Sequence, residues 1–249
     1  TEAKRQLGIC YEYGEGVDKD LSKAVVLYIQ AAIANNTKAL VQLACCYENG
    51  RGVPRDFNIA TGCLRRAVNL GNSDAMVMLA SWYEQGKAGL SRNEIKILDL
   101  LNEADKRGCV EATYKLGLMY IYDAGLFGAS SRGLRLVKLA ANKGSIEAIG
   151  TLADYYKNEA KDDDKSERLL NTKRCLEQGD AFYQLAYKCE HDDKNLEEAF
   201  DLYGKAIDQY SEAERFYSNV FKAEAEEQML DGRFGTELEI LKKNVKWMV

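Results

Sequence analysis

Two glycine-rich segments are the first candidates for chemistry, because glycines and arginines ahead of a helix can bind phosphate. Residues 47–57 read YENGRGVPRDF, and residues 11–21 read YEYGEGVDKDL. Neither segment contains GxxxxGK[ST] or a third glycine after a strand. Both are typical of helical hairpins, in which one glycine ends a helix, a second reverses the chain and an aspartate caps the next helix. The residues predicted for these roles are Gly14 and Gly50, Gly16 and Gly52, and Asp20 and Asp56.

The remaining polar side chains do not form a catalytic or metal-binding set. His191 is the sole histidine and stands in the polar run EHDD, which is typical of a solvated helix end. The acidic run KDDDKSE at 161–167 has Glu167 where a calcium loop needs glycine, and Lys173 where it needs glutamate. We interpret this run as a turn that caps a helix. The sequence therefore predicts no enzyme activity, no metal site and no cofactor.

The cysteines indicate core positions in a reducing compartment. They number seven, lack CxxC spacing and are irregularly placed: Cys10, Cys45, Cys46, Cys63, Cys109, Cys175 and Cys189. This pattern favours small buried thiols and a cytoplasmic location. A redox role for the vicinal pair Cys45–Cys46, and a bridge from either of them to Cys63, are the alternatives. The first residue is Thr1, so we expect a fragment or processed form, for which the absence of a signal peptide is uninformative.

Composition excludes two classes of partner. The chain has 249 residues and a formal net charge of −5. Nucleic acids and anionic membranes require clustered Lys and Arg, so neither is an expected partner. No apolar run reaches the 18 or more residues needed to span a bilayer.

A short motif recurs along the chain: an alanine, a large apolar residue four positions later, then a small residue, and an aromatic residue at the eighth position. The copies begin at Ala3, Ala39, Ala75, Ala112, Ala148 and Ala181, the last with Cys189 in place of the aromatic residue, and a degenerate copy begins at Ala213. The period of 32–37 residues fits two helices and two turns. The motif places its apolar residues on one helix face, and the small residue lets a second helix approach closely.

The run A-x-x-x-L-G-x-x-Y-x-x-G-x-G-V-x-x-D-x-x-x-A resembles the Sel1-like repeat, a relative of the tetratricopeptide repeat. The resemblance extends from about Ala3 to Phe221 and implies an all-α fold: a right-handed α-solenoid of paired antiparallel helices. Copies three to six depart from the glycine elbow. We expect one domain over 1–249 with about six repeats and a capping helix, at 3–38, 39–74, 75–111, 112–147, 148–180, 181–212 and 213–249.

The resemblance also implies a non-enzymatic scaffold or adaptor that holds a partner protein or peptide in a concave groove lined by the first helices. A dedicated inhibitor or immunity-type protein that occludes one folded toxin or enzyme is the alternative. A regulatory domain cut from a larger enzyme is a third possibility. The C-terminal segment caps the solenoid or docks on a second protomer, so the oligomeric state stays open.

By analogy with tetratricopeptide grooves, the inward positions of copies two and three are Val41, Cys45, Glu48, Asn49, Val77, Ser81, Glu84 and Gln85. Two features of the inward set predict partner-binding residues. The first is an acidic ladder of Glu12, Glu48 and Glu84, with Tyr13 beside it; local salt bridges are the alternative. The second is an aromatic patch of Tyr114, Leu118, Ile121, Tyr122, Tyr183 and Tyr187, for which burial between copies four to six is the alternative.

Overall fold

The computed structural model describes residues 1–122, 129–191 and 196–220, and the chain is all-α, as predicted. The helices in these ranges are α1 Glu2–Tyr13, α2 Leu21–Ile33, α3 Thr37–Asn49, α4 Phe57–Asn69, α5 Ser73–Gln85, α6 Glu94–Lys106, α7 Val110–Tyr122, α8 Ala129–Asn142, α9 Ile146–Asn158, α10 Asp163–His191 and α11 Leu196–Val220. They divide into two compact units, Thr1–Thr113 and Tyr114–Val249.

The glycine elbows of the first unit have the predicted geometry. Gly14 and Gly50 end α1 and α3 in the left-handed conformation, with φ of 83° and 69°. Asp20 and Asp56 then accept hydrogen bonds from the first free N–H groups of α2 and α4. The elbow roles predicted for these residues are confirmed.

The third elbow keeps the same chemistry with a different sequence. Gly86 ends α5 with φ of 63°, a single 3-10 turn spans Lys87–Gly89, and Asn93 caps α6. A helical hairpin therefore forms although the segment GKAGLSRNE has lost the G-x-G-V pattern. Ala88 and Gly89 also have positive φ, 58° and 72°, so this turn keeps a second left-handed glycine before its side-chain cap.

Each first helix packs on the second helix of its own copy and on that of the copy before it. Thus α3 contacts both α4 and α2, and α5 contacts α6 and α4. The repeat alanines Ala39 and Ala75 are buried completely at these contacts. Leu7 on α1, the equivalent of the buried Leu43, is 43% exposed. The alanine face of the motif is therefore the stacking face of the repeat.

Small residues set the distance between the two helices of a copy. A Cβ atom added to Gly8 would lie 2.6 Å from Cε1 of the buried Tyr28. In the second unit, a Cβ on Gly117 would lie 2.8 Å from Cγ2 of Val137 on α8. Both distances are below van der Waals contact, so a larger residue would force the helices apart.

In the second unit α9 packs on α8 and on α10, and α10 packs on α11. The acidic run at 161–167 forms the predicted helix cap: Lys161 has φ of 52°, and Asp162 accepts a hydrogen bond from the Lys165 N–H. Here a lysine takes the left-handed position that glycine holds in the first unit.

Two helices of the second unit run across predicted repeat boundaries. The predicted boundary at 180/181 lies inside the 29-residue helix α10, and the predicted start of the cap at 213 lies inside α11. Gly179 does not break α10, because its missing side chain admits the Tyr210 ring, whose hydroxyl donates to Asp180 Oδ1 at 2.5 Å. The predicted cap beyond residue 220 lies outside the described residues.

Substituting alanine at Gly52 should destabilise the fold more than the same change at Gly16. Both glycines have φ near 70°, but a Cβ on Gly52 would overlap the Leu21 carbonyl oxygen, whereas one on Gly16 meets nothing within 4 Å. We expect Gly16→Ala to cost about 1–2 kcal/mol from backbone strain. Gly52→Ala should cost at least about 2 kcal/mol more, because the start of α2 must shift.

Urea unfolding of the two variants beside the wild type measures this difference. Equal losses at the two positions would contradict the contact between the second elbow and α2.

Candidate protein-interaction site

A groove of about 300 Å³ runs along the first helices of copies two to four. We call it the first-helix groove, and its lining residues are Glu48, Asp74, Val77, Met78, Ser81, Trp82, Gln85, Lys87 and Glu111. Four of them, Glu48, Val77, Ser81 and Gln85, are at predicted inward positions. The helical spacing of the motif thus brings these four side chains to one surface, whereas Glu84 is exposed and does not line it.

The sequence prediction missed a second row of lining residues. Asp74, Met78 and Trp82 follow one another at four-residue intervals on α5, beside the row formed by Val77, Ser81 and Gln85. Their spacing is a signal that the sequence carries, because residues at i and i+4 lie on the same helix face. The groove is therefore wider than the single stripe predicted by analogy.

Charge in the first-helix groove is predominantly acidic. Lys87 forms an ion pair with Glu48, and its Nζ lies 5.5 Å from the centroid of the Trp82 ring. The groove's cation is thus held by a carboxylate and an aromatic face. Asp74 and Glu111 add two exposed carboxylates in the first turns of α5 and α7.

Glu12 lies inside the first unit rather than on a binding surface. Its side chain is 4% exposed; Oε2 accepts a hydrogen bond from the Tyr28 hydroxyl at 2.6 Å, and Oε1 pairs with Arg51 Nη1 at 2.5 Å. Burial, with a smaller contribution from the Glu12 carboxylate, raises the pKa of Tyr28, so the phenol stays a donor. Both oxygens of Glu12 are therefore engaged within the chain.

The acidic ladder is, in two of its three positions, a series of ion pairs between copies. Glu12 pairs with Arg51 and Glu48 with Lys87, and in both cases the cation follows the left-handed glycine in the elbow of the next copy. Each of these pairs joins residues 39 positions apart in neighbouring copies, so the salt bridges are not local to one copy. Glu84 is exposed at the end of α5, and Tyr13, at the end of α1, is 64% exposed.

The residues of the predicted aromatic patch lie on α7 and α10 and differ in their burial and in their contacts. Tyr114 is half-buried and its hydroxyl lies 2.9 Å from Thr151 Oγ1, while Tyr183 packs edge-on against Tyr203 with 5.6 Å between ring centroids. Tyr122 is 76% exposed and Tyr187 is also exposed. Leu118 and Ile121 are half-buried. The most accessible aromatic side chains in this set are thus Tyr122 and Tyr187.

The cysteines are packing residues where their surroundings are described. Cys10, Cys45, Cys46, Cys63, Cys109 and Cys175 are free thiols, and Cys46 is buried. Burial raises the pKa of Cys46 to about 11 and also raises the pKa values of Cys45, Cys63 and Cys175. Since the thiolate is the reactive form, these surroundings disfavour thiol chemistry. Within the described ranges no group of His, Cys, Asp and Glu could hold a metal ion.

The sequence pattern of the Sel1 repeat matches residues 1–36, 37–72, 73–96, 110–145 and 180–211. The chain belongs to the Sel1 repeat family. Sel1 repeats generally mediate protein–protein interaction. No curated protein matches the chain.

Several solved structures share the fold. A Sel1 repeat protein from Oxalobacter formigenes is 28% identical with a TM-score of 0.55, over 62% of this chain and 63% of that one. A protective antigen of uropathogenic Escherichia coli that displays an SLR fold is 23% identical with a TM-score of 0.60, over 98% of this chain and 53% of that one. This chain therefore spans less than two-thirds of either. An immunity protein from Pseudomonas aeruginosa is 19% identical with a TM-score of 0.54, over 85% and 82%.

Across the described ranges, no helix of this Sel1 repeat chain has the length and apolar character required to cross a membrane.

Removing the cation from the Glu12 pair should destabilise this Sel1 repeat chain. Arg51→Met leaves the buried carboxylate without its ion-pair partner, and we expect a loss of about 1–3 kcal/mol in the free energy of unfolding. Adding Glu12→Gln should recover part of that loss, because the uncompensated charge is gone. As a control, Arg92→Met breaks an ion pair with Glu94 that is exposed on both sides, and should change stability by less than about 1 kcal/mol. Additive losses in the double variant would contradict the coupling.

Cys46 should resist alkylation in the folded protein. A rise in its pKa from 9.0 to about 11 lowers the thiolate population at pH 8 by about 100-fold, and burial slows access further. Mass spectrometry after timed iodoacetamide treatment, in buffer and in urea, compares the same thiol in both states. Equal rates in the two conditions would contradict burial of Cys46.

Proposed function

We propose that this Sel1 repeat chain is a non-enzymatic scaffold that holds a partner protein or peptide in the first-helix groove. The observation that supports this most is the agreement between the predicted inward positions and the residues that line the groove. The repeat motif predicts an inward face, and the structure has a groove lined by four of the predicted residues, Glu48, Val77, Ser81 and Gln85. Repeat proteins use this face for binding.

The groove favours a partner segment that carries basic groups. Asp74 and Glu111 supply carboxylates at the surface, and the one lysine of the groove is held by Glu48 and Trp82. A Lys or Arg of the partner would add an opposite charge to this surface, which speeds association and sets orientation. The half-buried Met78 offers an adaptable apolar contact.

In the second unit, we propose that the aromatic residues of α7 and α10 contribute a further contact region. Tyr122 and Tyr187 are its most accessible members, and exposed tyrosines are frequent anchors of protein interfaces. The other members of the set are half-buried and would contribute smaller contact areas: Tyr114, Leu118, Ile121 and Tyr183. We place this function in the cytoplasm, which the unpaired cysteines favour.

Affinity capture from the source organism with matched charge variants tests the proposal. Asp74→Lys/Gln85→Lys changes the groove by three charges, and Glu94→Lys/Asp99→Asn makes the same change on exposed positions of α6. We expect a stoichiometric partner that the groove variant loses by at least about tenfold in affinity, about 1.4 kcal/mol, and that the α6 variant keeps. Equal retention by both variants would contradict the groove as the binding site.

The same capture separates an adaptor from an inhibitor. An adaptor should bind a short segment of its partner, and a synthetic peptide of that segment should retain most of the binding energy. An immunity-type inhibitor should bind one folded protein over a standard-sized interface, so that no single peptide replaces it. Adding Tyr122→Ala/Tyr187→Ala to the comparison measures the contribution of the aromatic residues, which we expect to weaken binding without loss of folding.

A further inference from the structure

A second groove lies on the other side of the first unit, between the second helices of copies one and two. We call it the second-helix groove; it has a volume of about 360 Å³ and is lined by Ile29, Ala32, Ile33, Leu40, Leu43, Ile59, Gly62, Cys63 and Arg66. Two of the wall residues are unusually accessible for isoleucine, Ile33 at 69% and Ile59 at 43%. The repeat motif did not predict this surface, and the proposed function does not use it.

Gly62 is the most informative residue of this groove. It stands in the middle of α4, where glycine weakens a helix relative to alanine. A Cβ added to Gly62 meets nothing within 4 Å among the described residues. The bare backbone is therefore open to an approaching group.

Four other glycines inside helices admit an apolar side chain from a neighbouring helix, whereas Gly150 lies beside Lys173 and Gly204 meets nothing within 4 Å. Gly8 admits Tyr28, Gly117 admits Val137, Gly133 admits Ile121 and Gly179 admits Tyr210, each within 3.0 Å of the added Cβ. The four side chains that pack on these glycines all belong to aromatic or branched apolar residues. Gly62 also lies inside a helix and among apolar residues, but no side chain among the described residues packs against it.

The charges around the groove indicate what kind of helix would fit. The sequences of α2 and α4 contain Lys23, Arg65 and Arg66 and no Asp or Glu. Asp20 and Asp56 cap these helices, and Asp20 also forms an ion pair with Lys23, so the basic charge available near the groove comes from Arg65 and Arg66. Arg66 closes one end of the groove, where it donates hydrogen bonds to the Ile33 carbonyl and to Asn35 Oδ1. In a chain of net charge −5, this is a local apolar and basic surface.

We infer that the second-helix groove binds an amphipathic helix of another protein, with an aromatic or branched apolar side chain over Gly62 and Asp or Glu residues beside its apolar ridge. A helix laid between α2 and α4 would place its ridge in the groove, as helices do when they pack. Its acidic flanks would pair with Arg66, which lines the groove, and with Arg65 on the same helix, which is exposed. This surface is separate from the first-helix groove, so the two sites can be occupied by different segments.

Two fluorescein-labelled synthetic helical peptides test the inference. Both carry the same ridge of Leu and Phe at i, i+3, i+4 and i+7; one has Glu on its flanks and the other has Lys. Fluorescence anisotropy with the full chain should give micromolar binding of the acidic peptide and at least tenfold weaker binding of the basic one. Binding of the acidic peptide should weaken further at 0.5 M salt.

A matched pair of glycine variants locates the binding. Gly62→Leu fills the groove, and it should fold at least as well as the wild type because the added side chain has room and leucine favours helix. Gly204→Leu makes the same change inside α11, at a glycine that also has nothing within 4 Å. We expect the first variant to lower affinity for the acidic peptide at least tenfold and the second to leave it unchanged.

Three results would overturn the inference. They are failure of both peptides to bind, equal binding of the acidic and basic peptides, and binding that Gly62→Leu leaves unchanged. Sedimentation of the chain alone provides a separate check. A concentration-dependent dimer that Gly62→Leu abolishes would assign the groove to a second copy of this chain instead.

Discussion

The second elbow connects the folding of one repeat to its attachment to the next. Gly52 reverses the chain within copy two, and its missing side chain lets the same turn rest against the Leu21 carbonyl at the start of α2. Its neighbour Arg51 reaches the buried Glu12 of copy one. A single short segment therefore sets the hairpin angle and the spacing between copies. The first-helix groove depends on that spacing, because α3, α5 and the start of α7 all contribute to its lining.

The first and second helices of the repeats differ in the residues they carry. The first helices carry the small residues and carboxylates of the repeat, which either join copies, as Glu12 and Glu48 do, or remain at the surface, as Asp74 does. The second helices of copies one and two carry apolar residues and basic charge. The first unit consequently has two chemically different surfaces. An acidic groove and an apolar, basic groove suit different partners.

The local chemistry of the first unit could be predicted from the sequence, because each feature depends on residues close together in the chain. Gly14, Gly50, Asp20 and Asp56 act within one turn of their own helix ends, where conformational preference decides the structure. The ion pair of Glu12 could not be predicted from helix periodicity, since its partner Arg51 lies in the next copy. In the second unit α10 continues through Gly179, and the Tyr210 ring of α11, 31 residues further along the chain, packs beside that glycine. The motif also drew attention to the first helices, so Gly62 on a second helix was missed.

Hydrogen–deuterium exchange on this Sel1 repeat chain, with and without a captured partner, tests the scaffold function most directly. If the first-helix groove holds the partner, slower exchange should appear in α3, α5 and the start of α7, while α6 exchanges at its unbound rate. Exchange reports backbone protection, so it needs no substitution that could disturb folding. Protection confined to the second helices, or no protection at saturating partner, would contradict binding in the first-helix groove.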